Sequence, residues 1–131
     1  MDQEPKIINV YIHKELAEIR KTNAFVNSLI DDFKAYKQGN QPSYFGKDVP
    51  YHEPRPYAER AKLRHVHILG AVRAVRMKNT SDSVLIYTEA SMTPNTYYVI
   101  DYIDIGAHKK ANDSSYMEWL IEMAESFRMK V

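Results

Sequence analysis

The chain has 131 residues, 44% of them apolar, with a formal net charge of +1 and no cysteine. That length suits one domain with a core of its own. It has no thiol for a disulfide framework or for thiol chemistry, and no apolar run approaches the roughly 18 residues of a membrane helix. The opening Met1-Asp2-Gln3-Glu4-Pro5 is acidic and lacks the apolar core of a signal peptide. The expectation is a soluble, cytoplasmic protein, a single domain over 1–131 with residues 1–8 as a flexible extension.

Bulk charge does not announce a nucleic-acid binder, but its distribution is uneven. Between Arg55 and Lys78 lie Arg55, Arg60, Lys62, Arg64, Arg73, Arg76 and Lys78 against one acid, Glu59. From Asn79 to Ala107 there is no Lys or Arg, while Asp82, Glu89, Asp101 and Asp104 occur. Such a segment gives one face a positive field suited to phosphates, or else its charges are solvated and paired elsewhere.

In chain order, Ile8, Val10 and Ile12 alternate with Asn9, Tyr11 and His13, the period of a strand. Glu15 to Arg20 reads equally as strand extension or as helix. Thr22 and Asn23 are good N-caps. Val26, Leu29, Ile30 and Phe33 then recur at helical spacing before Gly39, which predicts a helix over about 23–38. Residues 39–58 hold four Pro and two Gly among aromatics and read as an ordered loop. Strands are expected over 63–69, 71–77, 83–89 and 96–105, the last two joined as a hairpin by Ala90–Asn95. Ser115 and Glu118 fit a capping box. Met117, Leu120, Ile121, Ala124 and Phe127 then mark the buried face of a C-terminal helix. The order is that of an α+β domain with a mostly antiparallel sheet, an N-terminal strand and helix and a C-terminal helix.

Several short motifs, in shared order and at near-equal spacing, resemble the YafO family of bacterial toxins. They are Asp32-Phe33, Tyr36-Lys37 and Pro42; Phe45-Gly46-Lys47-Asp48 with Tyr51; His65-Val66-His67-Ile68; Ala107-His108-Lys109-Lys110-Ala111; and Met123-Ala124-Glu125-Ser126-Phe127-Arg128-Met129-Lys130. The resemblance spans about residues 22–131. It implies a RelE-like microbial ribonuclease fold and ribosome-dependent cleavage of mRNA. It also implies a cognate antitoxin, the 70S ribosome and mRNA as partners, with no membrane and a possible homo-oligomer.

RNA cleavage without a metal or other cofactor needs a base for the 2′-hydroxyl, an acid for the leaving 5′-oxygen and cations for the charge that builds on the phosphate. Histidine suits the first two and arginine the third. His65 and His67, two apart on a strand, share a face. They are candidate catalytic residues with His108 and Arg128, and each has a plain structural alternative: half-buried core imidazoles, a solvated loop, a cation at a helix C-terminus. A chelating His-x-His is a further alternative, though His13, His52 and His108 show no ligand spacing. Lys47, Asp48, Arg64, Arg73, Arg76, Lys109 and Lys130 are candidate RNA contacts, and Tyr51 and Tyr57 could stack on unpaired bases. Two other functions fit the same residues: a toxin of this scaffold that inhibits by binding alone, and a plain RNA-binding module.

Overall fold

The computed structural model describes residues 6–70 and 82–131. The strand expected over 71–77, with its candidate cations Arg73 and Arg76, lies outside the described residues.

The N-terminal strand β1 (Asn9–Ile12) leads into two consecutive helices, α1 (Lys14–Thr22) and α2 (Ala24–Lys37). The ambiguous Glu15–Arg20 stretch is thus helical. His13 starts α1, its ring accepting from the Glu15 amide. Asn23 both ends α1 and begins α2: its extended backbone breaks the helix while its side chain accepts from the Val26 amide at 3.1 Å. Gly39, at φ +99°, ends this segment in the left-handed region where a Cβ is costly. Ile8, expected within a flexible extension, is only 2% exposed and belongs to the core.

The expected loop over 39–58 contains regular structure. Phe45–Pro50 is a strand, β2, and Tyr57–Arg60 a single helical turn, α3. Gly46 and Pro50 conceal β2 in the sequence. The structure accommodates them because β2 is an edge strand whose register against β3 (Arg64–Ile68) shifts between Phe45 and Asp48. The hairpin of β4 (Val84–Glu89) and β5 (Thr96–Ile103) forms as expected. A short helix α4 (Ala107–Ala111) occupies what reads as a loop around His108, and α5 (Ser114–Lys130) follows. The N-cap of α5 is Asp113, whose carboxylate accepts from the Tyr116 amide at 3.2 Å, not Ser115 of the expected capping box.

The strands form one sheet in the order β1-β5-β4-β3-β2, antiparallel except for the parallel β1–β5 pair. Val84 to Thr88 of β4 are all buried, because this central strand is covered on both sides. Leu16, Val26, Leu29, Ile30 and Phe33 of α1 and α2 pack on Val66, Ile68, Leu85, Tyr87 and Val99. Met117, Leu120, Ile121 and Ala124 of α5, with Ala58 and Ala107, pack on Leu63, Val84, Ile86, Ile100 and Ile103. Each fully buried large apolar side chain contributes about 1.5–3 kcal/mol, so both helical layers are needed. The period of two along β3 therefore sends Val66 and Ile68 toward α2, and His65 and His67 toward α4 and α5.

Candidate active site

His65, His67 and His108 meet, as the sequence suggests, around one cleft with Tyr51, Val84, Ala107 and Ala111. The cleft is small, about 50 Å³. The rings of His65 and His67 lie edge to face at 5.2 Å, and His65 stacks on Tyr51 at 4.1 Å. Tyr51 is buried, so it anchors the imidazole and does not present a face to an RNA base. Burial, reinforced by the charge of His67, drives the pKa of His65 down to about 4. Its Nδ1 is buried with no hydrogen-bond partner among the described residues. His67 is only 7% exposed.

His108 differs: its side chain is exposed. Asp82 holds it, with Nδ1 3.0 Å from the carboxylate. The same carboxylate accepts from the backbone amides of His108 at 3.0 Å and Gly106 at 2.7 Å. These bonds, led by the His108 amide, pull the pKa of Asp82 down to about 2. Gly106 turns the chain into α4 at φ +94°. Among the described residues, no group of three or more His, Asp or Glu side chains is arranged to hold a metal ion.

Asp48 and Arg64 lie on the opposite face of the sheet. The Asp48 carboxylate accepts from Tyr36 at 2.7 Å and from the Tyr87 hydroxyl, and pairs with Lys37 at 3.7 Å. Arg64 donates through Nε to that carboxylate at 3.1 Å and through Nη2 to the Asp48 carbonyl at 2.9 Å. Lys37 donates to Tyr87 at 2.8 Å and lies over the rings of Tyr87 and Tyr97. Burial lowers its pKa against the pull of Asp48. Two cations, two phenols and one nearly buried carboxylate thus form a closed network, and the sequence hides Lys37 at the end of an amphipathic helix.

Arg128 is not beside the histidines. Its Nη1 donates to the Glu89 carbonyl at 2.6 Å, and Ser91 Oγ donates to the Arg128 carbonyl at 2.6 Å. Asp82 and His67 sit at the Val84 end of β4, and Glu89 is its other end. Five strand steps of about 3.4 Å separate these ends by roughly 17 Å. His108 and Arg128 thus stand near opposite ends of β4. Lys47, Lys109 and Lys130 are exposed.

The Glu89 end of the sheet holds a larger cleft, about 300 Å³, lined by Pro50, His52, Glu59, Lys62, Leu63, Arg64 and Glu89. His52 Nδ1 lies 4.0 Å from the Glu59 carboxylate, which also faces Arg55 at 3.6 Å. Of these residues only Arg64 stands out in the sequence as a functional candidate. Glu59 is visible there as the lone acid of a basic run. Nothing in the spacing shows that β2 returns to put His52 next to it.

Among characterised proteins, the chain is 26% identical over 125 residues to the mRNA interferase toxin YafO of Escherichia coli (strain K12), an alignment covering 88% of this chain and 95% of that toxin. No solved structure matches the chain. The toxin YafO family of type II toxin–antitoxin systems matches residues 34–129. That stretch runs from α2 almost to the end of α5 and takes in the clefts at both ends of the sheet, and on that match the chain belongs to the YafO toxin family.

Proposed function

We propose that this protein is the toxin of a type II pair and acts as a ribosome-dependent endoribonuclease on translated mRNA, by metal-independent attack of the 2′-hydroxyl on the adjacent phosphate. The observation that carries the reading is the alignment over 95% of a toxin named as an mRNA interferase. The same reading takes the sheet and its helices as a RelE-like fold within a single domain. It makes a cognate antitoxin, the 70S ribosome and mRNA the partners, in the cytoplasm, and it allows a homo-oligomer.

The geometry sorts the candidate residues. His67 is buried and His65 half-buried beside a cleft far smaller than the roughly 300–1,000 Å³ of ligand pockets. In this reading they act through the fold, by stacking on Tyr51 and on each other. His108, exposed and oriented by Asp82, stands with Lys109 and Lys110 on one short helix and contributes to an RNA-contacting surface. Lys47 and Lys130 extend that role to phosphates elsewhere on the ribosome-bound message.

The test is cleavage of a defined mRNA by purified protein, with and without 70S ribosomes, in EDTA. Cleavage that requires ribosomes and persists in EDTA is expected. Cleavage of naked RNA at the same rate, or loss of cleavage in EDTA, would overturn the ribosome-dependent and metal-independent parts respectively. No cleavage at all would leave a toxin that acts by binding.

A further inference from the structure

With His67 buried, His65 half-buried beside a cleft of only about 50 Å³, and His108 and Arg128 at opposite ends of β4, the proton transfers call for another set of groups. The 300 Å³ cleft at the Glu89 end of the sheet holds one. Resting on the ribonuclease reading above, we propose that the scissile phosphodiester of the mRNA is cut in this cleft, with Glu59 as general base, His52 as general acid, and Arg64 and Lys62 holding the phosphate.

Four observations converge on this. The first is size: the volume reaches the lower range of small-ligand sites, where the histidine cleft does not. The second is composition. The described cleft brings together a carboxylate, an imidazole, an ammonium and a guanidinium, the group types that metal-free phosphodiester cleavage requires. The third is the spacing of His52 and Glu59. At 4.0 Å they are too far apart for a hydrogen bond. With side chains 57% and 48% exposed, the pair is a weak surface contact, and neither group is committed to the other. The fourth is rigidity where it is needed. Asp48 fixes Arg64 by two bonds, using two of five guanidinium N–H donors. Lys62 is set by a left-handed backbone, φ +54°, immediately after α3.

The step balances without a co-reactant. Glu59 takes the 2′-hydroxyl proton as the 2′-oxygen bonds to phosphorus. The bond from phosphorus to the 5′-oxygen breaks, and that oxygen takes a proton from the His52 imidazolium. The products are a 2′,3′-cyclic phosphate and a 5′-hydroxyl. Exchange with water restores both side chains. Arg128, bonded to the Glu89 carbonyl at the wall of the cleft, is a positioning residue in this arrangement.

The experiment compares Glu59→Gln and His52→Ala with the parent chain and with Glu122→Gln, an exposed acid on α5. Each is assayed for ribosome-dependent cleavage across pH, for product end groups, for ribosome binding and for thermal unfolding. Glu59→Gln is expected to lower kcat by roughly 100-fold or more, as loss of a general base does, with folding and ribosome binding retained. His52→Ala is expected to lose the alkaline limb of the pH profile. Glu122→Gln is expected to match the parent. Rates within about threefold of the parent in both cleft variants would overturn the assignment while leaving the ribonuclease intact. Products ending in a 3′-hydroxyl and a 5′-phosphate would overturn the chemistry. A parent chain that cuts nothing on ribosomes would remove the ribonuclease reading, and this one with it.

Discussion

Replacing His65 with Phe tests whether this imidazole belongs to the core or to the chemistry. Phe keeps a ring against Tyr51, 4.1 Å away, and removes the Nδ1 that is buried without a partner among the described residues. His65 titrates near 6.5 when unfolded and near 4 when folded, because burial and then His67 oppose its charge. Above about pH 6.5 both states are neutral and stability is whole. As pH falls toward 4 the unfolded chain takes up a proton that the folded chain refuses, so stability is lost through that window. At 1.36 kcal/mol per pKa unit, less a discount for partial exposure, the loss is roughly 2–3 kcal/mol by pH 4. Urea unfolding of parent and His65→Phe at pH 7.5, 6, 5 and 4 measures it, since other acid-sensitive groups cancel in the difference. The variant is expected to gain on the parent progressively below pH 6.5 and to keep ribosome-dependent cleavage. A difference that does not change with pH would refute the buried-neutral reading. Loss of cleavage in a folded His65→Phe would return this histidine to the catalytic group.

Four further outcomes are expected. Asp48→Ala strands Lys37, Arg64 and two tyrosine hydroxyls in a largely buried site. It should cost roughly 3–5 kcal/mol in urea unfolding, part of which Lys37→Met in the same chain restores. Asp113→Ala, which removes the cap of α5, should cost only about 1 kcal/mol. Leu120→Ala, which empties a wholly buried position on that helix, should cost about 2–5 kcal/mol. Arg128→Ala should slow cleavage roughly 10- to 100-fold through a displaced cleft wall. Arg128→Lys should recover part of that, whereas a guanidinium acting directly on the phosphate would not be replaced by an ammonium.

The helices and the β4–β5 hairpin were legible because each carries its own period. Val26, Leu29, Ile30 and Phe33 repeat at 3.6 and are buried together, and Asn23 caps as its type suggests. Strand β2 was not legible. Gly46 and Pro50 weaken its pattern, and its pairing with β3 comes from a chain reversal that no local signal encodes. The same reversal explains the candidate site. That His65 and His67 share one face is legible because alternation along a strand is local information, whereas His108 reaches the same cleft from a separate helix that no spacing ties to them. Which face stays open is not local: Ala107 and Ala111 of α4 line the cleft with the histidines, and Tyr51 stacks against one of them.

The sheet therefore works as a partition. β3 turns its odd-numbered histidines to one face of the sheet and its even-numbered residues to the other. Arg64, at the end of the strand, is the even-numbered residue that remains partly exposed, and it lies where β2, α3 and β4 all terminate. Strand ends and the loops between them escape the two covering layers, so charged groups from distant parts of the chain can meet there and still reach solvent. His52, Glu59, Lys62 and Glu89 come from three different segments and meet only at that rim. A motif of adjacent residues, such as His-x-His, is easy to see because one strand builds it. For the same reason it is readily buried by whatever packs on that strand, whereas a site assembled at the rim leaves no contiguous signature.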